Sequence, residues 1–122
     1  MIDHVSIQCE NPERSAAFYD AVLETVGGHR ILDFGPVVGY GKEGPDFWIG
    51  PVETAGAARE VHLAFTAPNR SAVDAFHATA VRAGAESLHE PALHPEYHEH
   101  YYAAYVRDPD GNNVEAVCHD PA

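Results

Sequence analysis

The chain of 122 residues is poor in positive charge, with seven lysines and arginines against nineteen acidic residues and a formal net charge of −12. A surface of that sign repels phosphate backbones and anionic lipid, so nucleic-acid and membrane partners are not expected. Only two cysteines are present, Cys9 and Cys118, both in apolar strand-like stretches without metal or redox spacing. They read as small buried hydrophobes in a reducing compartment. No apolar run approaches the ~18 residues of a membrane span. The opening MIDHVSIQC lacks a basic n-region and an apolar h-region, so the expected location is cytoplasmic. Hydrophobic residues make up 45% and charged residues 21%, the composition of a single globular domain. Against that plain background, nine histidines in an acidic chain need an explanation.

The chain repeats itself. Placing His4 over His62 aligns Asn11 with Asn69, Ala17 with Ala75, Phe18 with Phe76 and Leu23 with Val81. Each half opens with a strand of period two. Val5, Ile7 and Cys9 face one way and His4, Ser6 and Gln8 the other; Val61, Leu63 and Phe65 oppose His62, Ala64 and Thr66. A helix follows in each half. The first runs from Pro12 to about Val26, capped by Asn11 and stopped by Gly27-Gly28. The second starts near Arg70, capped by Asn69 or by a Ser71/Asp74 box, buries Val73, Phe76, Ala80 and Val81, and ends at Gly84. Short strands are expected at 30–34, 37–41 and 47–49, then at 86–89, 101–107 and 113–118. The expected fold is α+β: two tandem βαβββ modules forming a cupped mixed sheet. Module one covers about 1–51, a linker about 52–59, and module two about 60–119.

Glu115 sits mid-strand in NNVEAVC, where an unpaired carboxylate costs several kcal/mol. It must be exposed, hydrogen-bonded or bound to a cation. If the two related sheets close toward each other, His4, His62 and Glu115 converge, and two imidazoles with one carboxylate hold a divalent metal with open positions for substrate. Imidazole suits Fe, Mn, Ni, Co and Zn alike, so the ligand set does not select the ion. The turn Asp108-Pro109-Asp110-Gly111 suits a type I turn with a glycine bulge, which sets Asp108 opposite Asn112 and hence Tyr105 opposite Glu115 on the cavity face. The segment His89–Tyr102 adds four histidines before its closing tyrosines. It reads as a loop over the pocket, with His98 the candidate acid–base group and Tyr101 stacking on a planar substrate; His89, His94 and His100 are weaker candidates. Trp48, Phe34 and Tyr40 line the cavity wall from module one or belong to the core. His77 reads as a surface residue, and His29 and His119 take no role.

The βαβββ duplication, IDHV at the start, HLAF opening the second half and DPDGNNVE near the end resemble the glyoxalase/bleomycin-resistance/extradiol-dioxygenase superfamily, also called the vicinal oxygen chelate superfamily. The resemblance spans nearly the whole chain. It implies metal ligation by His4, His62 and Glu115, one divalent ion, a homodimer, and a small substrate that chelates through adjacent oxygens. Glyoxalase I-like members use a fourth ligand, a glutamate on the fourth strand. Here that strand is Asp46–Gly50, without a central carboxylate. The His, His, Glu set with Tyr105 ten residues before the glutamate is instead similar to extradiol dioxygenases and fosfomycin-modifying thiol transferases. Ring-cleaving dioxygenases use a further histidine before the second metal histidine, and none stands between His29 and His62. The resemblance thus implies a metal-dependent lyase, isomerase or dioxygenase. A second reading is a bleomycin-resistance type of protein that sequesters a cationic drug, which the charge of −12 suits.

Overall fold

The structure, a computed structural model, describes residues 1–122. Its elements run β1 (Val5–Cys9), α1 (Pro12–Glu24), β2 (His29–Asp33), β3 (Val38–Gly41), β4 (Phe47–Pro51), β5 (His62–Thr66), α2 (Arg70–Arg82), β6 (Ser87–Leu93), β7 (Tyr102–Arg107) and β8 (Asn113–Cys118). The order is βαβββ twice. Each module builds its own four-stranded sheet with the same topology, β1-β4-β3-β2 and β5-β8-β7-β6. In both, the first strand pairs parallel to the fourth, and the remaining neighbours are antiparallel.

The two helices start and stop by the same chemistry. Asn11 accepts from the Arg14 N–H (3.1 Å) and Asn69 from the Ala72 N–H (2.8 Å), so each cap satisfies one free amide of its first turn. Pro12 at the first helical position loses nothing, because its missing N–H would have had no helical partner. Gly27 and Gly84 then take positive φ, +90° and +93°, which turns the chain out of each helix. Asp74 does not form the alternative capping box; it accepts from the Tyr102 hydroxyl instead (2.7 Å). Helix α1 stops at Glu24, short of the expected Val26, and Val81 is exposed while Ala72 takes the buried position.

One apolar core joins the modules. It holds Phe18, Val22 and Leu23 of α1, Val73 and Phe76 of α2, and the helix-side strand residues Val38, Tyr40, Ile49, Val106, Val114 and Ala116. Both helices pack into this shared core, so by strand alternation the His4 row and the His62 row face away from it. The DPDG turn clasps the modules. Asp110 accepts from the Glu10 N–H and the Ser15 hydroxyl, and the buried Asp108 accepts from the Tyr19 hydroxyl at 2.6 Å.

Strand β6 continues to Leu93 rather than ending at His89, despite Pro91. The register with β7 shifts between His89 and Ala92, and β6 is an edge strand, which is where a residue without an N–H is tolerated. Much of the expected 89–102 loop is therefore strand, and the true loop is residues 94–101. No helix is long and apolar enough to cross a membrane.

Candidate functional site

The hairpin β7–β8 closes with Asp108 N–H donating to the Asn112 carbonyl and Gly111 at φ +87°. That bulge sets Tyr105 directly opposite Glu115, the expected register. On the other side of β8, Ala64 is the partner of Glu115, which places His62 two residues along the same face. His62 Nε2 lies 2.7 Å from Glu115 Oε1. The second carboxylate oxygen accepts from the Tyr101 hydroxyl. Glu115 is 1% exposed, whereas the His62 side chain is 52% exposed. A carboxylate is thus buried on the open face of the sheet, beneath a solvent-facing imidazole and two tyrosines.

The phenols report on that carboxylate. Burial, followed by the hydrogen bond to Glu115 and its charge, pushes the Tyr101 hydroxyl up to about 12. Tyr105 is raised further, by burial first and then the charge of Glu115. Tyr19 and Tyr40 are raised in the core, by burial first, and Tyr102 by its bond to Asp74. A raised tyrosine favours the neutral folded form, so its contribution is complete below the ordinary value near 10 and is lost as pH rises toward the folded value. Alkaline titration followed at 295 nm should therefore show most phenols ionising above pH 10, together with unfolding. Ionisation of five or more of the six tyrosines near pH 10 in the folded protein would contradict this placement.

Residues 94–101 fold over the carboxylate. The His94 N–H donates to the Tyr101 carbonyl (2.7 Å) and the Tyr97 N–H to the His94 carbonyl (3.0 Å). His98 packs against Tyr101, with ring centroids 5.4 Å apart. Both its ring nitrogens are engaged: Nδ1 accepts from the His100 N–H, and Nε2 lies 2.6 Å from His119 Nδ1. Tyr101 makes a contact that the sequence reading did not assign, a hydrogen bond to Glu115. His89, across from Tyr105, meets its ring edge-on at 5.3 Å. His100 lies 3.4 Å from Glu99 at the loop surface, His77 of α2 pairs with the Ser87 hydroxyl of β6, and His29 lies exposed on β2.

His4 stands apart. It is exposed just before β1, with Nδ1 2.7 Å from its neighbour Asp3, and a single chain brings together no group of three or more His, Cys, Asp or Glu side chains able to hold a metal. Its module has the same backbone plan with different side chains. Ser6 pairs with Trp48 as Ala64 pairs with Glu115, and Gly39 lies opposite Trp48 as Tyr105 lies opposite Glu115. Trp48 therefore occupies in module one the place that Glu115 holds in module two. A Cβ on Gly39 would come within 2.8–2.9 Å of three indole atoms, so glycine lets the indole lie flat across β3. Phe34, 65% exposed, stacks nearly parallel to it at 6.3 Å. Tyr40 faces the other way, into the core, and donates to the Asp20 carboxylate. Gly39→Ala should displace the indole, changing tryptophan fluorescence with little loss of helix signal; an unchanged emission spectrum would contradict the contact.

A cleft of about 750 Å³ lies between the edges of β1 and β5 over Leu23, Val26, Phe47 and Phe65. It includes neither His62 nor Glu115 and is separate from the histidine-bearing site.

Comparison with known proteins agrees with this architecture. The glyoxalase-like domain family matches residues 4–117. A glyoxalase/bleomycin resistance protein from Albidiferax ferrireducens T118 is 30% identical, with a TM-score of 0.82 over 94% of this chain and 96% of that one. A glyoxalase/bleomycin resistance protein/dioxygenase family enzyme from Burkholderia phytofirmans PsJN is 21% identical (TM-score 0.73, 98% of each chain). A lactoylglutathione lyase from Agrobacterium tumefaciens is 21% identical (TM-score 0.69, 97% and 92%). These last two share the fold. No curated protein sequence matches the chain. The two-module plan and the match over nearly its full length place the chain in the glyoxalase-like domain family, within the glyoxalase/bleomycin-resistance/dioxygenase superfamily.

Proposed function

We propose that the protein is a divalent-metal-dependent enzyme acting on a small substrate that chelates through two adjacent oxygens, and that it works as a cytoplasmic homodimer. The observation that carries this reading is the pair His62–Glu115, 2.7 Å apart at the open face of the sheet, with the carboxylate 1% exposed. Buried carboxylates are normally paired or bound to a cation, and an imidazole beside a carboxylate is a transition-metal donor set. The pair fits such an ion as two of its ligands. Zn, Fe, Mn, Ni or Co would satisfy it equally.

The third ligand in this reading is the partner subunit's His4. Because both helices share one core, the open faces of the two sheets within a chain do not confront each other. A twofold axis supplies the missing face, module one of one copy lying over module two of the other. The same pairing sets the Trp48–Phe34 platform against Tyr101 and Tyr105, between which a planar substrate would stack. A bound metal would act as a Lewis acid on the chelating oxygens. Tyr105 would donate a hydrogen bond to a substrate oxygen on which charge develops, and its raised titration keeps it a donor across the physiological range. The reaction is in the lyase, isomerase or extradiol-dioxygenase class.

Two expected results test this. Light scattering should give a dimer mass, and elemental analysis of purified protein about one transition ion per chain. A metal-bound monomer would contradict the shared site. The alternative, a non-catalytic protein that sequesters a cationic drug, is favoured by the charge of −12 and the stack of exposed Phe34 on half-buried Trp48. Absence of metal together with tight binding of a planar cation would select it.

A further inference from the structure

We infer that Tyr101 is a positioning residue for the proposed metal site: its hydroxyl holds Glu115 so that one carboxylate oxygen, and not both, is offered to the ion. This inference rests on the metal-dependent reading of the site and adds to it the group that sets how Glu115 binds. An ionised carboxylate has two oxygens, and either one or both can ligate a cation. Here the two oxygens have different partners. Oε1 lies 2.7 Å from His62 Nε2, and Oε2 accepts from the Tyr101 hydroxyl. Those two contacts fix the rotation of the carboxylate plane, with Oε1 turned toward the half-exposed imidazole and Oε2 toward the loop. Glu115 is 1% exposed, so the phenol, rather than bulk water, satisfies Oε2.

Tyr101 can impose this orientation because it is itself fixed. It closes loop 94–101, its N–H donating to the His98 carbonyl (3.3 Å) and its carbonyl accepting from the His94 N–H (2.7 Å). Its ring meets Tyr97 at 5.0 Å, His119 at 5.2 Å and His98 at 5.4 Å, each edge-on. His98 Nε2 and His119 Nδ1 are 2.6 Å apart, which ties the loop to the chain just beyond β8, the strand that carries Glu115. Phenol and carboxylate are therefore mounted on one framework. The consequence concerns the ion's open positions. A carboxylate bound through one oxygen takes one position on the ion; bound through both, it takes two. Beside His62 and the partner subunit's His4, one-oxygen binding leaves an additional position free, and a substrate that chelates needs two. The Tyr101 hydroxyl thus preserves the site's capacity to hold a chelating substrate. It does so as an outer contact that orients a ligand without touching the ion.

Tyr101→Phe tests the assignment with manganese(II) as the only ligand, because the change keeps the ring and removes the oxygen. Infrared difference spectra, manganese-saturated minus metal-free dimer, report the asymmetric and symmetric stretches of the ligating carboxylate. Their separation is wide for binding through one oxygen and narrow for binding through both. The unmodified protein should show the wide separation and Tyr101→Phe the narrow one. Water-proton relaxation of the same samples counts the waters on the ion, and the variant should lose about one of them as the second oxygen takes its place. Tyr97→Phe removes a hydroxyl from the same loop that bonds to neither oxygen of Glu115, and it should leave both readings unchanged. A separation that stays wide in Tyr101→Phe, or is already narrow in the unmodified protein, overturns the assignment and leaves the metal reading standing. An equal change in Tyr97→Phe also overturns it, since loosening of the loop would then account for the effect. No manganese bound by the unmodified dimer overturns it together with the metal reading.

Discussion

Glu115→Gln is expected to lower metal affinity by at least ~100-fold while leaving the metal-free fold nearly as stable as before. The two effects separate because the isosteric amide keeps the local bonds. Its oxygen still accepts from the Tyr101 hydroxyl, and its NH₂ can donate to His62 Nε2 in place of the present 2.7 Å contact. What disappears is the anionic ligand. In metal-free protein the substitution also removes a carboxylate that is 1% exposed, so desolvation is relieved and the net change should stay within about 1 kcal/mol. In metal-containing buffer the outcome reverses. A ligand present at a hundred times its Kd stabilises the native state by about 2.7 kcal/mol, and the variant forfeits most of that. Thermal melts with and without metal, beside calorimetric titration, check both signs. Equal metal-induced stabilisation in the two proteins would remove Glu115 from the site.

Asp108→Ala should destabilise the protein by about 3–5 kcal/mol, although Asp108 lies in the most family-specific segment of the sequence. Its carboxylate accepts from the Tyr19 hydroxyl (2.6 Å), the Asp110 and Asn112 N–H groups (2.9 Å each) and Asn112 Nδ2 (3.0 Å). Tyr19 is fully buried, so the substitution strands its hydroxyl in the core and frees the turn that sets the Tyr105–Glu115 register. Tyr19→Phe removes one of those bonds and its donor together, and should cost only about 1–2 kcal/mol. Urea unfolding of both variants checks the ratio. A loss below about 1 kcal/mol for Asp108→Ala would show that the turn holds without its carboxylate.

That motif shows what the sequence makes legible. A turn with glycine at a fixed offset determines strand register, so Tyr105 opposite Glu115 follows from counting. The duplication is legible for the same local reasons: an asparagine cap, a glycine stop and period-two strands in each half. Relative placement of the modules is not local. Alternation says which row His4 shares with Ser6 and Gln8, but the packing of α1 and α2 into one core decides where that row points. The exchange of Glu115 for Trp48 between modules was legible in principle, and it emerges once pairing, rather than alignment alone, is counted. Loop 94–101 was least legible. Five histidines and tyrosines compete there for a few positions, and the edge-strand bulge around Pro91 decides which of them face Glu115.

The central claim, a metal site shared between two copies, is tested most directly by mixing variants. Chains carrying His4→Ala and chains carrying Glu115→Ala are co-expressed with different tags, the mixed dimer is isolated through both tags, and its metal is measured by mass spectrometry. Each homodimer should be nearly empty, because every site in it lacks a ligand. In the mixed dimer one site loses both ligands and the other keeps His4 from one chain with His62 and Glu115 from the other. The account predicts about one ion per mixed dimer, half the content of the unmodified protein. A mixed dimer as empty as its parents, beside an unmodified dimer that is full, would contradict it.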